Sequence, residues 1–180
     1  GAGEALIQDV RIRFGNAVQP EPAVKLSSVS NYYLGADPAS WRTQRPHYGQ
    51  IRYRNTFPGI DLVYYGNGRR VEFDFIVAPG ADPRAIRLEL DGARRLRLDA
   101  GDLIVETGKG TIRMQKPVVY QEIDGERKPV PGAFKISGKD EVAFRVGQYD
   151  PEHQLVIDPV LSYSTYVGGS GLESATAIAL

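Results

Sequence analysis

Apolar and polar side chains alternate residue by residue along most of this chain. In Val71-Glu72-Phe73-Asp74-Phe75 the apolar groups fall on one side of an extended backbone and the carboxylates on the other. Ile86, Leu88 and Leu90 alternate with Arg87 and Glu89, and Leu96 and Leu98 alternate with Arg95, Arg97 and Asp99. The same two-residue period runs through 51–54, 103–106, 112–115, 118–123, 134–136 and 142–146. Strands with one wet and one dry face have this pattern, and antiparallel sheets supply them.

Turn residues punctuate the runs. Gly66-Asn67-Gly68, Asp91-Gly92, Gly101-Asp102, Gly108-Lys109-Gly110, Asp124-Gly125 and Gly138-Lys139-Asp140 tolerate the positive φ of tight hairpins. Pro58-Gly59 and Pro79-Gly80 mark wider loops. From about Tyr48 to Val146 the result is a meander with too many short strands for one flat sheet. Two sheets packed face to face, or a barrel-like closure, would bury the dry faces. Helical signals are confined to Asp37-Pro38-Ala39-Ser40-Trp41 and Asp82-Pro83-Arg84-Ala85, each a single turn with Asp as N-cap and Pro first. Residues 16–30, with Pro20, Pro22 and several serines, are expected to be a loop between an N-terminal strand at 6–14 and the body.

Composition narrows the function classes. A chain of 180 residues fits one domain, or one domain with part of another. Lys plus Arg equals Asp plus Glu at 22 each, so no bulk field draws it to nucleic acid or anionic lipid. Cysteine is absent, which excludes disulfides, thiolate metal sites and cysteine nucleophiles. No apolar run approaches the roughly eighteen residues of a membrane span, so no membrane insertion is expected. The chain opens at Gly1-Ala2-Gly3 without Met and closes on Ala175-Thr176-Ala177-Ile178-Ala179-Leu180. It is expected to be a piece of a longer protein.

Candidate chemistry is sparse. Glu72 and Asp74 share one strand face at about 7 Å, a spacing that would suit a glycoside hydrolase. The plainer expectation is a solvated face whose charges meet Arg52, Arg54, Arg69 or Arg70 across the sheet. His47 and His153 belong to no metal-binding pattern and are expected at the surface. No GxSxG elbow is present, and Gly168-Gly169-Ser170-Gly171 lacks the Lys and helix of a phosphate loop. No cofactor is expected. Calcium would have to use loop carboxylates among Asp37, Asp82, Asp99 and Asp102, which no DxDxDG run gathers. The basic clusters Arg94-Arg95-Leu96-Arg97 and Arg69-Arg70 have acidic neighbours, and nucleic-acid binding is not expected. The ten tyrosines stand out. Exposed rings stack on sugars or fill protein interfaces, and the candidates for such a surface are Trp41, Tyr64, Tyr65, Tyr163 and Tyr166.

Several longer stretches carry a family resemblance. They are Ser30-Asn31-Tyr32-Tyr33-Leu34-Gly35, Trp41-Arg42-Thr43, 53–66 (YRNTFPGIDLVYYG), 72–83 (EFDFIVAPGADP), 116–121 (KPVVYQ) and 155–161 (LVIDPVL). In this order they resemble the uncharacterised N-terminal domain that precedes SBBP (β-propeller-type) repeats in bacterial secreted or surface proteins. The segment from Tyr163 through Gly171 to Ala179 is similar to the opening of such a repeat. The resemblance implies export and a multi-domain setting, and assigns no catalytic residue.

The expectation is therefore an all-β, antiparallel, two-sheet sandwich-like domain over 1–159, with the start of a propeller-type repeat at 160–180. Its expected function is that of a non-catalytic structural or adhesive module, secreted or at the bacterial cell surface. Its partners would be the downstream repeats, and cell-surface glycans or proteins. A carbohydrate-binding module using exposed Tyr and Trp is the alternative, and a glycoside hydrolase-like enzyme the third reading.

Overall fold

The alternating runs become strands. The computed structural model describes residues 4–7, 10–15, 19–32, 42–67, 70–159 and 161–162. In chain order the strands are β1 (Glu4–Ile7), β2 (Val10–Phe14), β3 (Pro20–Tyr32), β4 (Arg42–Phe57), β5 (Ile60–Asn67), β6 (Arg70–Val77), β7 (Leu88–Asp91) and β8 (Arg95–Asp99). They continue with β9 (Asp102–Glu106), β10 (Thr111–Met114), β11 (Val118–Ile123), β12 (Glu126–Val130), β13 (Gly132–Ile136), β14 (Glu141–Val146), β15 (Leu155–Asp158) and β16 (Leu161–Ser162). Three antiparallel sheets result, in the orders β12-β11-β15-β6-β5-β4-β3, β1-β2-β7-β14-β13 and β16-β10-β9-β8. Their arrangement is sandwich-like, as the alternation predicts. The repeat expected at 160–180 lies outside the described residues, apart from the short β16.

The dry faces meet in one core. Ile60, Leu62, Phe73, Phe75 and Val77 of the seven-stranded sheet oppose Val10, Ile12, Phe14, Leu88, Leu90, Val142 and Phe144 of the five-stranded sheet. Phe14 reaches Phe73 edge-on at 5.0 Å between centroids and Phe75 at 5.9 Å, while Phe75 meets Phe144 at 5.8 Å. Edge-to-face geometry is the favoured one for such rings, and it adds to the gain from burial. Leu103, Val105, Ile112 and Met114 of the four-stranded sheet complete the same cluster.

Several elements depart from the sequence expectation. The strand expected over 6–14 is a hairpin, with Ile7 opposite Val10, because the polar pair Gln8-Asp9 breaks the alternation. The segment expected to be a loop at 16–30 contains β3 from Pro20 onward. Prolines are tolerated there because β3 is the edge of its sheet, where a missing N–H takes nothing from the ladder. The other edge, β12, carries Pro129. Neither β12 nor β15 stands out by alternation. In β12 every side chain but Val130 is exposed, while in β15 Leu155, Val156 and Ile157 are all buried. The turn expected at 82–85 forms as a 3-10 turn over Pro83–Ala85, with the Asp82 carboxylate accepting the Arg84 N–H at 2.9 Å. The other expected turn, at 37–41, lies outside the described residues.

The stretch 53–61 owes its distinctive sequence to a bulge and a turn. The β4–β5 register shifts between Tyr53 and Phe57, and Asn55 takes a left-handed φ of 51°. Asp61 accepts the Asn55 N–H at 2.8 Å, and the Asn55 side-chain oxygen accepts the Gly59 N–H at 3.3 Å. Thr56, fully buried, donates its hydroxyl to the Tyr53 carbonyl at 3.1 Å. Gly59 (φ 70°) admits no side chain, since a Cβ there would stand 2.8 Å from the Ala81 methyl. Buried Gln121 does similar work for the loop after β14. It donates to the carbonyls of Asp150 (2.8 Å) and His153 (3.2 Å) and accepts the Asp150 N–H (2.9 Å).

Two substitutions test this packing. Phe75→Ala empties the meeting point of both sheets and is expected to cost about 3–5 kcal/mol in denaturant melts. Tyr64 packs its ring against Phe14, Tyr53 and Phe73 while its buried hydroxyl finds no partner among the described residues. Removing that orphaned group with Tyr64→Phe is expected to raise stability by about 1 kcal/mol in the same measurement.

Candidate functional site

Turning β5, β6 and β15 over brings their wet faces together on the outside of the seven-stranded sheet. Val63 stands opposite Asp74, Tyr65 opposite Glu72, and Ile76 opposite Val156. The register that sets Ile157 against Phe75 carries Asp158 to the level of Asp74, on the same face. Two carboxylates therefore face each other across neighbouring strands, flanked by Val63 and Val156, which are only 5% and 6% exposed. Like charges in that position repel. On the far side Tyr120 of β11 lies opposite Val156, with the Arg127 guanidinium over its ring at 4.5 Å.

The electrostatics follow from this arrangement. Burial, and then the charge of Asp158, push the Asp74 carboxyl up to about 6. Burial, and then Glu72, raise Asp158, while Arg127 pulls both the other way. Tyr65 donates its hydroxyl to Asp74 at 3.0 Å. Burial, followed by the nearby carboxylates Asp74 and Asp158, raises the Tyr65 hydroxyl and keeps it a donor. Two half-buried carboxyls that cannot both ionise comfortably titrate as a pair. Chemically the patch can hold a proton.

The residues singled out in the sequence are only partly brought together. Glu72 and Asp74 do share a face, but the carboxylate that Asp74 meets across the sheet is Asp158. Arg54 pairs with Glu21 at 2.6 Å and Arg52 approaches Asp61 at 3.9 Å, while Arg127 is a cation that reaches this patch; the side chains of Arg69 and Arg70 lie outside the described residues. Tyr65 is on the patch, whereas the Tyr64 ring belongs to the core side. Trp41, Tyr163 and Tyr166 lie outside the described residues. His47 contacts the Ser28 hydroxyl at 3.0 Å and His153 contacts Asp150 at 2.9 Å. Asp82 is held by Arg84, while Asp99 and Asp102 gather around Arg113, at 3.8 and 2.6 Å; Asp37 is outside the described residues. Among the described residues no three His, Asp or Glu side chains are grouped to hold a metal, and no helix is long and apolar enough to cross a membrane. Sequence reasoning missed Asp158 because it closes an unbroken apolar run, and Arg127 because β12 shows no alternation.

Comparison with known proteins adds one finding. A family model described as a domain of unknown function (DUF7948) matches residues 4–160. No curated protein and no solved structure matches the chain.

The carboxyl pair predicts an inverted acid response. Asp74 titrates near 6 in the fold, whereas in the unfolded chain an Asp titrates near 4. Between those values the folded form holds the extra proton, so this contribution to stability is full below about pH 4 and is lost as pH rises through about 6. Asp74→Asn keeps an acceptor for Tyr65 without the charge. It is expected to be more stable than the parent at about pH 8, by about 1 kcal/mol once solvent screening is allowed for, and no more stable at about pH 4, in urea melts.

Proposed function

The chain belongs to the DUF7948 family, and from that premise we propose that the domain is a non-catalytic structural and adhesive module of a larger bacterial secreted or cell-surface protein. In this reading it precedes SBBP repeats of the propeller type and packs against them. One observation carries it. The most distinctive polar residues of the chain have structural work to do: Asn55, Thr56 and Asp61 shape a bulge, Asp82 caps a turn, and Gln121 anchors a loop. Side chains committed in this way hold a backbone in place and leave their functional groups already bonded.

The outer face of the large sheet supports the same reading. Half-buried Tyr65 and Tyr120 stand there beside Asp74, Asp158 and Arg127, a mixture of aromatic and charged groups of the kind found at contacts between proteins. A repeat of this kind buries its own surface only against neighbours, and a rigid sandwich ahead of the array would give the first repeat one.

The test is deletion of 4–160 from the full-length protein. The expected result is a repeat region that loses protease resistance and surface attachment. Export, folding and attachment that all continue unchanged would overturn the proposal.

A further inference from the structure

The outer face of the five-stranded sheet carries a cavity of about 650 Å³ lined by Pro83, Ala143, Phe144, Val146 and Tyr149 together with Asp82, Arg84, Arg87, Lys135 and Arg145. Four cations thus meet one carboxylate. The sheet register explains their convergence. Lys135 of β13 stands opposite Ala143 of β14, and the β14–β7 register, with Val142 opposite Leu88, brings Arg87 level with Ala143 on its other side. A small residue between two long cations leaves a hollow. Arg145 lies two residues further along β14 on the same face, opposite Ala133, and Arg84 enters from the 3-10 turn.

Two of these cations are held in place and two are uncommitted. Arg87 donates to the carbonyls of Arg84 and Ile86 and pairs with Glu141 at 3.3 Å. Arg84 turns its Nε to Asp82 at 2.9 Å, which leaves the two terminal nitrogens of its fork pointing elsewhere. Lys135 and Arg145 have no ion-pair or hydrogen-bond partner among the described residues. Several other arginines are matched: Arg13 with Glu89 and Asp91, Arg54 with Glu21, Arg113 with Asp102. In a chain with no net charge, a concave surface with unanswered positive charge is a local choice of sequence.

We propose that this cavity binds an acidic oligosaccharide, a glycan chain bearing carboxylate or sulfate groups. Strands lie about 4.8 Å apart, so the backbone positions of Lys135 and Arg87 flank Ala143 across about 10 Å. A chain with anionic groups on successive units reaches them. The volume is that of an ordinary small-ligand pocket. Tyr149, half-buried, offers apolar surface for the face of a sugar ring. Tyr149 is the one aromatic side chain in the wall besides core-facing Phe144, whereas single-stranded nucleic acid is bound on a succession of stacking rings. The site rests on its own residues and stands whether or not the domain packs against repeats.

Calorimetric titration of the chain at low salt, with five probes, tests it: a sulfated heparin hexasaccharide, an oligogalacturonate, a neutral cello-oligosaccharide, inorganic sulfate and a poly-glutamate peptide. Binding of one or both acidic glycans, with weaker binding of the neutral glycan and of sulfate, is the expected result. Both Lys135→Ala with Arg145→Ala and the conservative pair Lys135→Gln with Arg145→Gln are expected to weaken it by about tenfold or more and to flatten its salt dependence. Lys128→Ala, a cation of the other sheet, leaves it unchanged. All these side chains are exposed, and an unchanged thermal melt confirms the fold. The proposal fails if neither acidic glycan binds, if the double variants bind as the parent does, or if sulfate binds as tightly as the glycans. Tighter binding of poly-glutamate would overturn the glycan assignment in favour of an acidic peptide.

Discussion

The contact between Phe14, Phe73, Phe75 and Phe144 is the joint on which the two large sheets depend. Phe73 and Phe75 are neighbours on one strand, but Phe14 and Phe144 reach them only when both sheets exist. The packing is therefore non-local, and its reward arrives only after long loops have closed. Much else is placed by that joint. Once Phe73 and Phe75 face inward, Glu72 and Asp74 must face outward, because a strand offers its side chains only two directions. Once Phe144 faces inward, Ala143 and Arg145 must line the opposite surface. The carboxyl patch and the basic cavity are both consequences of which residues the core claims.

The fold was legible wherever a strand had one wet face. Val71 to Phe75, Ile86 to Leu90 and Ile112 to Gln115 announced themselves by period alone, and Asp124-Gly125 marked its turn by residue type, with φ of 56° and 77°. What escaped was set by sheet position. Val156 is buried on the outer face and so hides the alternation of β15. The edge position of β12 leaves almost all its side chains wet. Prolines at 20 and 22 argued for a loop, and only the place of β3 at the rim makes them compatible with a strand.

The candidate sites were less legible, for a reason of distance. Asp74 and Asp158 are separated by nearly half of the chain, and Lys135 and Arg87 by more than a quarter of it. Adjacency of such residues is a property of strand order, which the sequence does not spell out. The local features were visible: Asp82 as a cap and Gly59 at its turn were both marked in advance. Tyr64 and Tyr65 show the limit of composition as a guide, since adjacent identical residues have opposite environments, one in the aromatic core and one donating to a carboxylate.

The prolines at the two rims of the large sheet govern how the domain meets its surroundings. On β3, Pro20 and Pro22 lie two residues apart and so point their nitrogens the same way, toward solvent rather than toward β4. Those positions offer no donor to an approaching strand, and Pro129 limits β12 in the same manner. Backbone pairing is thus blocked at those positions, whether with another copy of the domain or with a following segment. A partner that approaches the sheet there must recognise side chains, and its specificity is written in them.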